Sequence, residues 1–302
     1  MRSIKMIAGA MAATVSLYVP SALSAPPVVY SGSGADATTA LDAFRAAIGG
    51  VKNTAGPEAS GRREISWDGV KLDGTDANPN TQVVDSGHTV VIPVDRFRAQ
   101  GALFEDPYAV SGDGFASVNP GTAGQFPAFS PNNTFVMQDE TPYQFDDRFI
   151  GQSFTIPGTA TAAGTRGFGA IFIDVEKAGS SSIEYFGHDA GGHEVSLGTF
   201  AVPTGASGEP QFLGVLFDNP VVADVNLTVG TNTLFNFDGT SFQSFGPENL
   251  SGNTDLAVTD DFVFAEPTMA AAVPEPSSYA LMLAGLCLLG FAARRKTRLN
   301  LV

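Results

Sequence analysis

Cysteine is nearly absent: of 302 residues only Cys287, close to the C-terminus, is one. Everything before it lacks a thiol, which excludes disulfides, thiolate zinc sites, iron–sulfur clusters and a cysteine nucleophile there. Positive charge is scarce too. Lys and Arg number 16 against 31 Asp and Glu, giving a net charge of −15 and a pI near 4.4. Such a surface repels phosphate backbones, so no nucleic acid is expected as a partner. With 43% hydrophobic residues and only 16% charged ones, the chain is no disordered acidic tail. Gly (34) and Pro (19) are too frequent for a helical bundle. Also missing are a Gly-x-Ser-x-Gly elbow, a P-loop and an HExxH pair. No repeat at the spacing of solenoids or propellers is present. Gly167-Phe168-Gly169 begins a dinucleotide-like pattern, but its third glycine is absent and the segment reads as a strand.

The two ends read as addresses. Arg2 and Lys5, the apolar stretch Met6 to Val19, the break at Pro20 and the small residues Ala22 to Ser24 make residues 1–24 a secretory signal peptide, cut after Ser24. At the other end Val273-Pro274-Glu275-Pro276 precedes an apolar run, Tyr279 to Ala293, which stops at Arg294, Arg295 and Lys296. As a helix that run would span roughly 22 Å against about 30 Å of hydrocarbon, short for a permanent anchor. The basic stop orients it N-terminus outward.

The order of Pro-Glu-Pro, short apolar helix and Arg-rich stop resembles the PEP-CTERM sorting signal of Gram-negative bacteria, over residues 273–302. The resemblance implies that Pro274, Glu275 and Pro276 are read by an exosortase-type processing enzyme of the inner membrane. Arg294, Arg295 and Lys296 would be the membrane stop of a temporary anchor. The protein would end at the cell surface or outside the cell. Without its two ends the chain holds 10 basic and 30 acidic residues, a net charge of −20.

Between the ends, residues 25–60 form an N-terminal segment with one short helix, capped by Asp36 or Thr38, carrying Leu41, Phe44 and Ile48 on one stripe and ended by Gly49-Gly50. Residues 61–267 read as strands, followed by a linker at 268–272. Arg63–Val70 alternates Ile65 and Trp67 against Glu64, Ser66 and Asp68. Residues 71–150 read as loop-rich, with short strands at His88–Pro93 and Thr134–Met137. Strands follow at Gln152–Ile156, Arg166–Val175, Ser182–Phe186, Glu194–Phe200, Gln211–Phe217, Val221–Val229, Leu234–Phe237 and Leu256–Phe264. The expected fold is all-β: a jelly-roll-like antiparallel β-sandwich, with the short N-terminal helix and a C-terminal hydrophobic helix. GRREISWDGV at 61–70, RGFGAIFIDVE at 166–176, SSIEYFGHDAGGHEVSLGTF at 181–200, FLGVLFDNP at 212–220 and TDDFVFAEP at 259–267 resemble an uncharacterised group of exported bacterial β-sandwich proteins. That resemblance implies fold and export, not chemistry.

Candidate chemistry is sparse. His188 and His193 bracket Asp189-Ala190-Gly191-Gly192 and read as a polar turn, with a weak zinc or copper site as the alternative; His88 reads as a surface residue. A structural Ca2+ is the better metal expectation, since hard cations take oxygen ligands. Asp260 shares strand parity with Phe262 and Phe264, while Asp261 points opposite. A carboxylate turned to a core needs a partner, a cation or a strand bulge. If the first and last strands are neighbours, Asp68 or Glu64 joins this pair, so Asp260, Asp261 and Asp68 are the expected ligands. Trp67 is expected in the core, leaving Tyr108 and Tyr143 as freer platforms for a sugar ring. The expected function is a non-enzymatic surface or matrix protein that engages exopolysaccharide. The alternatives are a carbohydrate-active hydrolase using a carboxylate pair, and a purely structural matrix protein.

Overall fold

The computed structural model describes residues 25–54, 56–76, 81–137 and 149–271. In chain order these form β1 (Val28–Ser33), α1 (Ala35–Ile48), β2 (Arg62–Ile65), β3 (Gln82–Asp85), β4 (Thr89–Ile92), β5 (Ala102–Phe104), β6 (Tyr108–Ser111) and β7 (Thr134–Met137). Then come β8 (Phe149–Phe154), β9 (Gly167–Ile173), β10 (Ser182–His188), β11 (Glu194–Ala201), β12 (Pro210–Leu216), β13 (Asp224–Thr228), β14 (Phe235–Phe237), β15 (Phe242–Ser244) and β16 (Val258–Ala265). The segments expected to be a signal peptide (1–24) and a sorting tail with a hydrophobic helix (273–302) lie outside the described residues.

The larger sheet runs β1-β12-β9-β16-β7-β6-β4-β3, with β2 also pairing β16. The smaller runs β11-β10-β13-β8-β5, and β14-β15 is a separate hairpin. The pairings between these strands are antiparallel. The protein is thus mostly β with antiparallel sheets and one helix, as its strand spacing suggests. A jelly roll is a finer statement, which this strand order does not establish.

Alternation explains the layers. On one face of the larger sheet Phe168, Ala170, Phe172, Leu213, Val215, Phe262 and Phe264 meet Ile150, Phe154, Ile183, Tyr185, Val225 and Leu227 of the smaller sheet. The opposite face of the same strands, Ile171, Ile173, Phe212, Val258, Val263 and Ala265, packs under α1 and β14. β9 and β16 are therefore buried from end to end, on both faces.

In α1 the residues Ala37, Leu41, Phe44 and Ile48 fall on one stripe and are buried. Its N-cap is Gly34 with no side-chain cap bond, not Asp36 or Thr38; Asp36 sits in the first turn, where its charge faces the positive end of the helix dipole. The helix docks where Gly169 and Gly214 stand opposite each other across β9 and β12. A Cβ on Gly214 would lie 2.8 Å from the Phe212 ring and 3.0 Å from Phe44 Cδ2; one on Gly169 would lie 2.8 Å from the Phe212 ring. The glycine pair makes room for the Phe44 and Phe212 rings, 5.6 Å apart. Close packing accounts for the Gly-Phe-Gly motif, and no cofactor loop follows it.

Three other expectations change. Residues 71–150 contribute β3 to β7, and β6 is wholly buried, because its Val, Ala and Tyr bridge β4 and β7 rather than lie in a loop. Tyr108 is fully buried in the inter-sheet core, so it offers no sugar platform; Tyr143 lies outside the described residues. Finally β1, which precedes the helix in the 25–60 segment, pairs with β12 along the edge of the larger sheet.

Candidate functional site

Trp67 is buried against Phe262, its ring at 4.8 Å and nearly perpendicular, and takes a left-handed φ of 58°. β2 therefore stops at Ile65, and the chain turns so that Val70 N–H donates to Trp67 O. This turn aims Asp68 at the 129–133 loop, where its Oδ1 accepts from the backbone N–H of Asn132 at 2.8 Å.

β2 pairs with β16, placing Glu64 opposite Val263 and Ile65 opposite Phe262. The parity expected for Asp260 fails because β16 bulges. Thr259 faces Phe172 and Phe262 faces Ala170, so Asp260 and Asp261 together occupy the place opposite Ile171. Leu256 and Val258 consequently face the helix side, whereas Phe262 and Phe264 face the inter-sheet core. Both carboxylates turn toward the 129–133 loop, and Asp68, Asp260 and Asp261 do come together.

Their meeting point is Ser130, which the sequence reading passed over. Ser130 Oγ lies 3.1 Å from Asp68 Oδ2, 3.2 Å from Asp260 Oδ1 and 2.8 Å from Asp261 Oδ1. Phe129 N–H donates to Asp260 Oδ2 at 2.6 Å, and Arg45 Nη2 stands 3.6 Å from Asp261 Oδ2. Each of the six carboxylate oxygens thus has a polar neighbour. A hydroxyl carries one proton, however, and three carboxylates surround it. Burial first, then the Asp261 charge, pushes the Asp260 carboxyl well above the usual range, and burial also raises Asp261. The cluster holds an extra proton more readily than its full negative charge. Glu64, at its edge, behaves oppositely. Burial works to raise it, but Arg62, Lys52 and Arg45 outweigh that and hold it at about 2.

A second acidic cluster was not foreseen. Asp174 and Glu176 leave the end of β9; Glu248 and Asp255 flank the single turn Leu250–Gly252 before β16. Since Val258 pairs with Ile173, the end of β9 and the start of β16 adjoin. Carboxylate oxygens of Asp174, Glu176 and Glu248 lie within 4.8 Å of one another. Burial first, then Asp174, Glu248 and Asp255, pushes Glu176 up to about 8; burial, Asp174 and Asp255 push Glu248 up to about 7. The available signal was the alternation Asp174-Val175-Glu176 closing a wholly apolar strand. Its partners lie more than seventy residues away, where no local pattern marks them.

The histidines stay apart from both clusters. His193 N–H donates to Asp189 Oδ1 at 2.9 Å and the imidazole is exposed, consistent with a polar turn. His88 pairs with Asp85 at the surface. At the β2 edge a polar cleft of about 290 Å³ opens between Lys52, Asn53, Thr54, Glu64, Arg96 and Gln100. Its walls are braced: Arg96 forks onto Asp76 at 2.6 and 3.1 Å, and Asn53 Nδ2 donates to Glu266 at 2.8 Å. Glu266 also holds the fully buried Arg63 through bonds of 2.6 and 2.7 Å.

Among the described residues no helix is long and apolar enough to cross a membrane. The sorting residues Pro274, Glu275, Pro276, Arg294, Arg295 and Lys296 and the run Tyr279 to Ala293 lie outside them. No curated protein and no solved structure matches the chain. Residues 272–296 match the family model of the PEP-CTERM protein-sorting motif; the match covers the tail and does not extend to the β-rich body. The C-terminus therefore carries a PEP-CTERM sorting motif, which marks an exported protein held transiently by its C-terminal region until an exosortase processes it.

Proposed function

We propose that this PEP-CTERM protein is a non-enzymatic surface or matrix component that binds an exopolysaccharide in the cleft beside β2. The observation that supports the reading is the cleft itself. Its lining of Lys52, Asn53, Thr54, Glu64, Arg96 and Gln100 offers both donors and acceptors, the chemistry that sugar hydroxyls need. Braced side chains lose little entropy on binding. The strongly acidic body disfavours anionic polymers, so the glycan is a neutral one. The aromatic residues lining the cleft, Trp67 and Phe97, are buried, so recognition rests on hydrogen bonds rather than on ring stacking.

A glycan array probed with the full chain in mild detergent tests the reading. Binding to a neutral polysaccharide, weakened about tenfold by Thr54→Ala/Gln100→Ala, is expected from the loss of roughly 1.4 kcal/mol of hydrogen bonding. Release of reducing sugar from the bound glycan would make the protein a hydrolase instead. Binding to no glycan would leave a structural matrix protein.

A further inference from the structure

We propose that the end of the larger sheet at the turn between β12 and β13 is a lipid-contacting surface. Val28, Val29, Val51 and Met269 rest there against the bilayer while the C-terminal tail holds the protein in place. This goes beyond the glycan reading and does not depend on it.

Both ends of the described body leave from this turn. Ala25 N–H donates to Asp218 Oδ2 at 3.2 Å, and Ala271 N–H donates to Pro220 O at 2.9 Å. Thr268 and Gly164 exchange two backbone hydrogen bonds of 2.8 and 2.9 Å. A Cβ on Gly164 would lie 2.4 Å from Pro220 O and 3.0 Å from Ala270 Cβ, so the segment before the tail is packed closely onto the body. Eight peptide steps separate Ala271 from Tyr279, where the apolar run of the tail starts. Six separate Val19, the end of the N-terminal apolar stretch, from Ala25. Fully extended, these connections reach about 26–29 Å and about 20–22 Å. A body tethered that closely at one corner presents that corner to the bilayer.

The chemistry of this end fits lipid. Val28 pairs with Leu216, the last residue of β12. Arg166 Nη2 donates to Ala47 O at 3.0 Å, which fixes the C-terminal end of α1, and with it Val51, at the same end of the sheet. Val51 and Met269 are 70% and 73% exposed, and Val28 and Val29 are about half exposed, so four of the seven large hydrophobic residues exposed among the described ones gather here. Segments 25–29, 155–165, 217–222 and 267–271, which build this end, carry a single charge, Asp218, although the body as a whole has a net charge of −20. Asp174, Glu176 and Glu248 crowd the opposite end of β9 and β16. A bilayer with anionic lipids repels that acidic end and admits the nearly uncharged one. An exposed apolar patch rimmed by polar residues marks an interaction surface. On the smaller-sheet side of the same end, the turn after β10 carries Asp189 beside His193, which confines the apolar contact to the larger sheet.

The full chain, reconstituted by its own tail into vesicles of phosphatidylcholine and phosphatidylglycerol at roughly three to one, tests the surface. In a Cys287→Ser background, Val51→Cys, Met269→Cys, Val83→Cys and Leu250→Cys are made singly and labelled with a fluorophore, and the lipid carries a headgroup-bound quencher. Labels at positions 51 and 269 should be quenched about threefold more than those at 83 and 250. A short tether alone would also draw position 269 toward lipid. The same chains are therefore made with about twelve Gly/Ser residues inserted between Ala272 and Val273, which adds roughly 20 Å of reach. Position 51 should then keep at least about half of its quenching, because contact rather than reach holds it. Val28→Glu/Val29→Glu in the lengthened chain should lower it to the level of position 83; both side chains are exposed, so an unchanged melting temperature is expected alongside. The proposal is overturned if positions 51 and 83 are quenched alike in the original chain. It is equally overturned if the longer connection alone brings position 51 down to the level of position 83, or if Val28→Glu/Val29→Glu leaves its quenching unchanged.

Discussion

Replacing Asp260 by Asn should make the protein more stable, although Asp260 is buried and makes two hydrogen bonds. Three carboxylate oxygens surround the one hydroxyl of Ser130 within 3.2 Å. An asparagine is isosteric. Its Oδ1 can keep the bond from Phe129 N–H, and its amide can donate to Ser130 Oγ, freeing the serine proton for Asp261. The substitution thus supplies the missing donor and removes one buried charge. An unanswered buried acceptor costs about 1–3 kcal/mol, so a gain of that size is expected, or roughly 2–12 °C in Tm for a body this large. The sign depends on pH. Asp260 has a folded pKa raised above its unfolded value, so the folded state holds more protons between the two. Wild-type stability therefore falls as pH rises from about 4 through neutrality, whereas the variant lacks this loss. The gap between the two should widen from pH 5 to pH 8. Calorimetric unfolding of both full chains with chelator present would measure it. A variant that melts lower than wild type at pH 8 would refute the proton-sharing account of this cluster.

Other outcomes follow from the packing. Glu266→Ala strips the partner from the fully buried Arg63 and releases Asn53 and Glu58 N–H, so a loss of about 3–5 kcal/mol is expected in chemical denaturation. Most of that loss should return in an Arg63→Met/Glu266→Met double variant, since no charge is then left unpaired. Gly214→Ala puts a Cβ against the Phe212 and Phe44 rings and should cost about 1–3 kcal/mol, read by the same denaturation. Burial raises Glu105 and Asp224 as well as Asp261. Wild-type Tm in chelator should accordingly decline between pH 5 and pH 8. Below about pH 4 the paired carboxylates Glu64 and Glu266, whose folded values are lowered, lose their contribution and the trend reverses.

Much of the strand order along the chain was legible because burial on one or both faces leaves a period of two or an unbroken apolar run. β9, β10, β12 and β13 begin or end within a few residues of the segments that pattern marks. β5 and β6 escaped notice, because Gly and Pro dominate their surroundings and their few apolar residues resemble a loop. Asp68, Asp260 and Asp261 could be placed in one neighbourhood from the unusual cost of acid beside Phe262 and Phe264. Ser130 could not, since a serine between Phe129 and Pro131 has no distinguishing period.

The sequence alone determined what local chemistry decides: the lack of any thiol before Cys287, the acidic surface, the stripe of α1, the alternating strands and the sorting motif of the tail. The tertiary structure decided what depends on register between distant strands. A bulge opposite Ile171 turned two carboxylates onto one serine, and the antiparallel pairing of β9 with β16 brought Asp174 and Glu176 to Glu248 and Asp255. A one-residue change of register sends every following side chain to the other face, and no property of either strand read separately reveals which register their pairing selects.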